Sequence, residues 1–216
     1  MPKTFVIADL HGRFDLLEAA LAAIDAAADG GTVVFTGDYV DRGPESSRIV
    51  YRLMRGPERS GWSWICLKGN HEAMMVGGLR GLSHGEIWRA NGGVETLASY
   101  PGGVPPAHLE WLDALPLIHC DRHRIYVHAG VDPTLPLAAQ TEQTMLWMRT
   151  DRDYVHPEGY VVHGHMPHKN GPRILSGRAD LDTLAVYTGR LVIGVFDDAL
   201  PGPPVDLLTV QRRAID

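Results

Sequence analysis

The sequence predicts a mixed α/β fold, built as a two-sheet β-sandwich flanked by helices with a helical cap insertion. Strand-like and helix-like segments alternate over the N-terminal third, which indicates βαβ crossovers and a largely parallel central sheet. Strand signals are then scarce between Glu72 and Arg124, which predicts the cap at about 74–116. Short β-type runs joined by turn residues return in the tail. A chain of 216 residues with 44% hydrophobic content can bury this as a single domain over residues 1–216.

The elements of the N-terminal third are predicted from hydrophobic periodicity. Residues 4–8, 32–36 and 62–67 are short apolar runs rich in β-branched and aromatic side chains, which is typical of strands. Apolar residues over 16–24 repeat at helical spacing, and a second apolar stripe over 49–54 ends where a Gly-Pro pair stops a helix. The predicted order is therefore strand, helix, strand, helix, strand.

The cap and the tail are predicted from similar patterns. Helix-like stretches at 87–97 and 107–115 make up the cap. In the tail, residues 183–187, 190–196 and 205–210 are β-type runs separated by Thr-Gly and by a proline-rich turn. We expect these three runs to be antiparallel strands that close a second sheet.

Composition limits the classes of partner and the compartment. The formal net charge of -6 disfavours nucleic acid as a partner, and no apolar run is long enough to span a bilayer. The N-terminus has no apolar segment of the kind that directs export. Cys66 and Cys120 lie in apolar strand-like runs without metal-ligand spacing, so we expect buried, reduced thiols. These features predict a cytoplasmic protein with no nucleic-acid or membrane partner, and they leave the oligomeric state open.

The most informative feature is a set of polar motifs at the ends of five apolar strand-like runs. Side chains that follow the carboxyl ends of neighbouring strands can meet in one crevice. Carboxylate, amide and imidazole groups brought together there are what a two-metal phosphoester hydrolase needs. The motifs are Asp9-Leu10-His11-Gly12, Gly37-Asp38-Tyr39-Val40-Asp41-Arg42-Gly43, Gly69-Asn70-His71-Glu72, His128 after Ile125-Tyr126-Val127, and His163-Gly164-His165 after Tyr160-Val161-Val162.

Several of these residues suit particular roles. Asp9 and His11 are two positions apart, so an extended backbone puts both side chains on one face, where they can bind one cation. The two oxygens of Asp38 can bridge two metal ions roughly 3.5 to 4 Å apart, and the preceding glycine lets its loop approach closely. Arg42 can direct two donors at phosphate oxygens. Asn70 offers a neutral carbonyl oxygen, which suits harder cations such as manganese.

In this order, the five motifs resemble the calcineurin-like metallophosphoesterase superfamily, whose members carry D-x-H, G-D-x-x-D-R-G, G-N-H-E, a lone His and G-H. The unbroken second and third motifs resemble the phosphoprotein phosphatase branch, notably small bacterial and phage serine/threonine phosphatases. Symmetrical diadenosine tetraphosphate hydrolases share that branch and its motifs. The resemblance extends from Asp9 to His165 and implies a metallophosphoesterase-like fold.

The resemblance implies a centre of two divalent metal ions, with manganese favoured and iron, zinc or nickel as alternatives. His163 and His165 are two residues apart, so either could be a ligand, and the family's Gly-His pattern favours His165. In more distant members a further histidine binds the first metal, and Pro167 stands at that position here. The implied metal ligands are Asp9, His11, Asp38, Asn70, His128 and His165.

The resemblance also implies a mechanism. A hydroxide that bridges the two metals attacks phosphorus directly, without a phosphoenzyme. His71 is the general acid that protonates the leaving alkoxide, and Asp41 orients its imidazole and raises its pKa. Arg42 stabilises the transferring phosphoryl group together with Arg149, which lies in a segment resembling the Leu-Trp-x-Arg of small bacterial phosphatases. The implied catalytic residues are His71, Asp41, Arg42 and Arg149.

Substrate choice is expected to depend on the cap. There, Trp88, Asn91-Gly92-Gly93 and Tyr100 either border the cleft or form the core of the cap and a turn. The Trp-x-x-Asn-Gly-Gly stretch followed by Thr-Leu resembles bacterial phosphoprotein phosphatases, which favours phosphoserine and phosphothreonine in proteins. The expected substrate is therefore a phosphorylated protein or peptide, or a small phosphoester. One alternative is a symmetrical dinucleoside polyphosphate hydrolase, with cap aromatic residues stacked on adenine. Another is a non-catalytic binding module, which predicts loss of a ligand or of the acid, and neither is missing.

Overall fold

The computed structural model describes residues 2–82 and 85–215, so positions 83–84 of the predicted cap and the two terminal residues lie outside the described residues. Within the described ranges, the chain forms two five-stranded mixed sheets flanked by helices. The predicted mixed α/β fold is therefore confirmed. The three predicted strands of the N-terminal third are present with boundaries shifted by one residue.

The bounds of the described elements are as follows. The strands are β1 (Lys3–Ile7), β2 (Gly31–Phe35), β3 (Trp62–Cys66), β4 (Ile118–Cys120), β5 (Arg124–Val127), β6 (Tyr160–His163), β7 (Arg173–Ile174), β8 (Arg178–Asp180), β9 (Arg190–Asp197) and β10 (Asp206–Gln211). The helices are α1 (Phe14–Ala27), α2 (Ser46–Arg55), α3 (Asn70–Leu79), α4 (Gly85–Trp88), α5 (Val94–Ala98), α6 (Pro106–Ala114), α7 (Glu142–Trp147) and α8 (Ala185–Thr188). A π-helical turn (Arg89–Gly93) joins α4 to α5, and a 3-10 turn spans Leu137–Ala139.

The strand directions bring the motifs together. The first sheet has the order β10-β9-β1-β2-β3 and the second the order β4-β5-β6-β8-β7. β1, β2 and β3 run parallel, and so do β5, β6 and β8. The carboxyl ends of parallel strands lie at the same edge of a sheet. The motifs that follow β1, β2 and β3 therefore form one row, and those that follow β5 and β6 form another.

The two sheets pack face to face over an apolar layer. In β1, Val6 points into this layer, whereas Phe5 and Ile7 point to the outer face covered by helices. Phe196 of the first sheet meets Tyr126 of the second, with ring centroids 6.5 Å apart. The loops at the strand ends therefore extend from two closely packed sheets.

The prediction for the tail is wrong in two respects. Residues 183–187 do not form a strand, because Asp182 Oδ1 accepts the backbone N–H of Leu184 (2.8 Å) in a turn that leads into α8. The other two runs are antiparallel strands, but β9 pairs with β1 and therefore extends the first sheet. β9 is buried on both faces, which suits the interior of a sheet. The second sheet is completed by β7 and β8 instead.

The cap segment is helical as predicted, but it shares the main core. Met75, Trp88, Tyr100 and Leu112 belong to the same buried cluster as the outer face of the first sheet. Trp88 is 1% exposed and Tyr100 is 7% exposed, so these two rings do not border the cleft. Asn91 does line it. Of the two alternatives for Trp88 and Tyr100, a place in the core of the cap is therefore correct, and a place at the border of the cleft is wrong.

The two cysteines depart from the expected burial. Both thiols are free, but Cys66 is half-buried and Cys120 is exposed at the end of an edge strand. Across residues 2–82 and 85–215, the helices lack the length and apolar character that crossing a membrane requires.

Candidate metal centre and active site

The motif side chains converge on one small pocket at the carboxyl ends of the parallel strands. The pocket has a volume of about 90 Å³. Most of the predicted site residues line it, namely Asp9, His11, Asp38, Arg42, Asn70, His71, Arg149 and His165. The two others, Asp41 and His128, are fully buried beside it.

A first candidate metal site lies at the ends of β1, β2 and β3. Potential ligand atoms of His11, Asp38 and His71 all lie within 4.8 Å of one another. His11 Nε2 is 3.5 Å from Asp38 Oδ2. His11 donates its Nδ1–H to Val40 O (2.9 Å), so Nε2 carries no proton and its lone pair can bind a cation.

A second candidate metal site lies between the two sheets. Potential ligand atoms of Asp38, His128 and His165 lie within 4.8 Å of one another, and His128 Nε2 is 3.5 Å from Asp38 Oδ1. His128 donates its Nδ1–H to Thr36 O (2.9 Å), as His11 does to its own carbonyl partner. Asn70 Oδ1 lies 2.8 Å from His128 Nε2 and 3.1 Å from His165 Nδ1.

Asp38 belongs to both groups and directs one oxygen at each. Burial opposes its ionisation, but the surrounding imidazoles of His128, His71, His11 and His165 hold the pKa of Asp38 below its usual range. An ionised carboxylate with one oxygen at each site can bridge two cations. The geometry therefore fits the predicted bridging role.

The donor set of the second site fits a divalent cation. Burial lowers the pKa of His128 below its usual value and lowers that of His165 to about 3, so both rings are neutral near pH 7. Because His128 gives its Nδ1–H to a carbonyl, its Nε2 is an acceptor, and the nearby Asn70 Oδ1 is an acceptor too. Two acceptors 2.8 Å apart repel each other unless a cation or a proton lies between them. Imidazole nitrogen with carboxylate and amide oxygen is a set that manganese, iron and zinc accept.

Asp9 lies in neither triad, yet it joins the two rows of motifs. Both of its carboxylate oxygens accept the backbone N–H of His165, at 3.2 and 3.0 Å. A Cβ on Gly164 would overlap Asp9 Oδ2, so the last motif comes as close as glycine allows. The end of β1 in the first sheet is thus tied to the loop after β6 in the second.

The predicted acid and its orienting carboxylate are in contact. His71 donates Nδ1–H to Asp41 Oδ2 at 2.7 Å. Burial opposes protonation of His71, but Asp38 and Asp41 raise its pKa above the usual value. His71 Nε2 lies 4.0 Å from Asp38 Oδ2 at the pocket wall. A protonated imidazole there can give its proton to a leaving oxygen.

Two arginines bring positive charge to the pocket. Arg42 places Nη1 at 2.5 Å from His11 Nε2 and Nη2 at 3.0 Å from His71 Nε2, and it donates to each ring only while that nitrogen carries no proton. Arg149 follows α7, is exposed and contacts Met166 Sδ at 4.0 Å. Both guanidinium groups line the pocket, as predicted for groups that bind phosphate.

The structure places His165, and not His163, in the metal group. β6 ends at His163, and His165 has a φ of 68°, so the two side chains do not share a strand face. His163 donates Nδ1–H to Gly164 O (2.8 Å) and accepts from Arg178 Nη1 (2.7 Å). Arg178 in turn donates to Thr150 O at 2.8 Å, which anchors the residue after Arg149.

Sequence reasoning gave Glu72 no role, although it ends one of the motifs. The side chain is fully buried, and its two oxygens accept backbone N–H groups of Asp38, Tyr39 and Gly69, each at 2.8 Å. Burial raises the pKa of Glu72 to about 7. The signal that identifies it is the helix start, since an acidic residue in the first turn of α3 is placed to accept free N–H groups.

Glu72→Gln is expected to lower the free energy of unfolding by about 3 kcal/mol, because an amide NH₂ would face buried N–H donors and leave them unpaired. Chemical denaturation monitored by circular dichroism measures the change. The matched control is Glu18→Gln, because Glu18 is half exposed and forms only a 3.7 Å surface ion pair with Arg52. We expect a change below about 0.5 kcal/mol for that control. Equal effects of both substitutions would contradict the role of Glu72.

Asp182 is a pocket residue that sequence reasoning missed. It is 6% exposed and lines the pocket beside the predicted ligands. Burial raises its pKa to about 6. It follows β8, a three-residue strand that carries Arg178 and Asp180, and hydrophobic periodicity does not detect so short and polar a strand.

The backbone at the site is unusual. Among the described residues, positive φ outside glycine occurs at Asp9, His11, Asp38, Asp41, Arg42, His165 and Leu184. All of these except Leu184 are predicted site residues. A left-handed conformation costs a non-glycine residue roughly 1–2 kcal/mol, so the surrounding structure must impose it.

Comparisons with known proteins agree with this geometry. The family model described as calcineurin-like phosphoesterase matches residues 2–195. A symmetrical bis(5'-nucleosyl)-tetraphosphatase of Neisseria gonorrhoeae is 31% identical over 134 residues, which cover 62% of this chain and 45% of that protein. Serine/threonine-protein phosphatase 2 of Salmonella typhimurium is 36% identical over 89 residues, which cover 41% and 38%. The chain thus spans less than half the length of these relatives.

A solved structure extends the agreement in fold. The crystal structure of a candidate diadenosine tetraphosphatase superposes with a TM-score of 0.73, covering 98% of this chain and 96% of that one at 24% sequence identity. At this identity the likeness concerns the fold alone. It covers both sheets and the cap segment.

Proposed function

The chain belongs to the calcineurin-like phosphoesterase family, and we propose that it is a metal-dependent hydrolase of phosphate monoesters whose first substrate class is phosphoserine and phosphothreonine in proteins. The observation that carries the reaction is the pair of candidate metal sites that share Asp38. The same pocket holds a proton donor, His71, and two guanidinium groups. These are the groups that transfer of a phosphoryl group to water requires.

Divalent ions, when bound, supply the charge that lowers the pKa of water and polarises the phosphoryl oxygens. His11, Asp38 and Asp9 would hold one ion. Asp38, Asn70, His128 and His165 would hold the other. Manganese is the favoured metal, because the neutral amide oxygen of Asn70 suits a harder cation.

The substrate is bound and protonated by the chain's own residues. Arg42 cannot keep its 2.5 Å contact with His11 Nε2 when that nitrogen binds a cation, so its two donors become available to phosphate oxygens. Arg149 adds a second guanidinium. His71, with Nδ1 held by Asp41, delivers the proton from Nε2 to the leaving oxygen.

The lining of the pocket supports a phosphorylated side chain as substrate. The side chains that line it are almost all charged or polar, which suits a phosphoryl group more than an adenine ring. The cap rings proposed to stack on adenine, Trp88 and Tyr100, are buried. The Trp-x-x-Asn-Gly-Gly resemblance favours the same substrate class.

A second candidate is a symmetrical dinucleoside tetraphosphate. The tetraphosphatase of Neisseria gonorrhoeae aligns over 62% of this chain, against 41% for the phosphatase of Salmonella typhimurium. In addition, Trp147 is 36% exposed, and its ring centroid lies 6.3 Å from that of His165. This ring is available to stack on a base beside the pocket.

Steady-state hydrolysis of a phosphothreonine peptide and of diadenosine tetraphosphate tests the proposal. We expect manganese-loaded protein to favour the peptide by at least about tenfold in kcat/KM, and chelation to abolish turnover until manganese is restored. The reverse preference would replace the first candidate by the second. Turnover of neither substrate would contradict the hydrolase assignment and favour a binding module.

A further inference from the structure

The cap stretch 88–96, distinguished in the sequence by Trp-x-x-Asn-Gly-Gly, contacts the catalytic loop. Trp88 Nε1 donates to the two carboxylate oxygens of Asp41 at 3.0 and 3.1 Å. The Thr96 hydroxyl donates to Asp41 Oδ1 at 2.8 Å. Both side chains are buried. Two cap residues thus hold the carboxylate that holds His71.

The direction of the Thr96 hydroxyl follows from its neighbours. The backbone N–H of Asp41 donates to Thr96 Oγ1 at 2.8 Å, and Ser46 Oγ lies 3.0 Å from the same oxygen. Because the one hydroxyl proton of Thr96 goes to Asp41 Oδ1, Ser46 must donate its own proton to Thr96. The buried group therefore has a single hydrogen-bond arrangement, which is the condition for holding a side chain rigidly.

This arrangement determines which way Asp41 faces. A carboxylate turns easily about its last bond, and both oxygens are chemically equivalent. Thr96 holds Oδ1 and Trp88 Nε1 donates between the two oxygens, so Oδ2 faces His71 and accepts from its Nδ1 at 2.7 Å. The cap thereby orients the imidazole through one intervening side chain.

The glycines of the stretch allow this close approach. Gly92 O accepts the backbone N–H of Arg42 at 3.2 Å, and a Cβ on Gly92 would overlap Arg42. Gly92 has a φ of +107°, a conformation that other residues rarely adopt. A Cβ on Gly93 would overlap the Trp88 ring. The cap therefore lies directly on the Asp41-Arg42 segment.

We propose that Trp88 and Thr96 are positioning residues of the general acid, so that the cap controls how well the enzyme expels a basic leaving group. This inference rests on the proposed function, since it requires a phosphoester hydrolase with His71 as proton donor. It gives the cap a role in the chemistry of the Asp41–His71 pair in addition to any contact with substrate.

The test compares leaving groups in variants of Thr96. Thr96→Val keeps the shape of the side chain and removes its hydroxyl, whereas Thr96→Ser keeps the hydroxyl. We expect Thr96→Val to lower turnover of a phosphothreonine peptide and of phenyl phosphate by about tenfold, but that of p-nitrophenyl phosphate by less than about twofold, because nitrophenolate leaves without a proton. Thr96→Ser should restore turnover, and Trp88→Phe should reproduce the pattern of Thr96→Val.

The matched control is Thr4→Val. Thr4 donates to Asp198 Oδ1 at 2.8 Å, the same distance as in the Thr96 pair, but at the start of β1 and away from the pocket. We expect this control substitution to change the turnover of all three substrates by the same factor, or to leave it unchanged. Thermal unfolding of every variant shows that the protein is folded. If folded Thr96→Val protein lost turnover equally on all three substrates, or lost none, the proposal would be overturned.

A second measurement does not depend on turnover. The proton shared by His71 Nδ1 and Asp41 is observable by NMR of protein labelled with ¹⁵N-histidine, in wild type and in Thr96→Ser. We expect its signal to broaden or vanish in Thr96→Val, because the carboxylate is no longer fixed. Wild-type protein that hydrolyses none of the esters would contradict the proposed function, and an unchanged proton signal would then separately overturn the positioning role.

Discussion

Asp38→Asn is expected to abolish metal binding at both candidate sites and to lower turnover by about a thousandfold. Asp38 is the one side chain common to both groups, with Oδ2 3.5 Å from His11 Nε2 and Oδ1 3.5 Å from His128 Nε2. Asparagine offers one neutral oxygen, and its NH₂ would point at an imidazole that must itself act as a ligand. Elemental analysis gives the metal content, titration calorimetry the affinity, and steady-state kinetics the turnover.

The control for this substitution is Asp113→Asn. Asp113 is half exposed and forms ion pairs with Arg80 and Lys68 at 2.6 and 3.8 Å, so its replacement removes one negative charge without touching the pocket. We expect two ions per chain and normal turnover for this variant. If Asp38→Asn protein bound two ions with unchanged affinity, the shared-carboxylate assignment would be wrong.

His71→Asn is expected to retain both ions and to lower turnover of a phosphothreonine peptide by about 10²–10⁴-fold. The imidazole is placed as a proton donor, because Nδ1 is held by Asp41 at 2.7 Å and the neighbouring carboxylates raise its pKa. Near pH 7, the asparagine side chain cannot give up a proton to a leaving oxygen. The loss should shrink for p-nitrophenyl phosphate, whose leaving group needs no proton.

Metal content and two substrates distinguish this role from that of a ligand. His71 also lies within 4.8 Å of His11 and Asp38, so loss of one ion in His71→Asn protein would identify it as a ligand rather than as the acid. His108→Asn is the control, since His108 is a half-buried imidazole that does not line the pocket and whose Nδ1 lies 3.0 Å from the Tyr100 hydroxyl. An equal loss of turnover on both substrates would contradict the general-acid role.

Local patterns predicted the strands that carry the site. The runs ending near residues 8, 36, 67, 127 and 162 were recognisable because each is apolar and stops at a polar or glycine-rich motif. Those strand ends predicted most of the residues that line the pocket, whereas Arg149 was predicted from a resemblance and Asp182 was missed. Strand pairing is different, because it depends on contacts between distant parts of the chain. The pairing of Lys3 with Asp197 places β9 in the first sheet, and the sequence of neither segment indicates this pairing.

The missed contributors are buried polar groups that bind other groups of the protein. Glu72 holds backbone N–H groups, and Thr96 and Trp88 hold Asp41. Composition and periodicity classify a threonine or a tryptophan in a helix as surface or core, respectively, and do not show its hydrogen-bond partner. Trp88 was therefore left as either a residue of the cleft wall or part of the cap core, and its hydrogen bond to Asp41 was not predicted.

The left-handed backbone at the site has a consequence for substitution. Asp9, His11, Asp38, Asp41, Arg42 and His165 each have positive φ, a conformation that costs a non-glycine residue roughly 1–2 kcal/mol relative to glycine. Glycine at position 41 would remove this cost, but it would also leave His71, Trp88 and Thr96 without their buried acceptor. The side-chain contacts therefore stabilise a backbone shape that the same residues disfavour on their own.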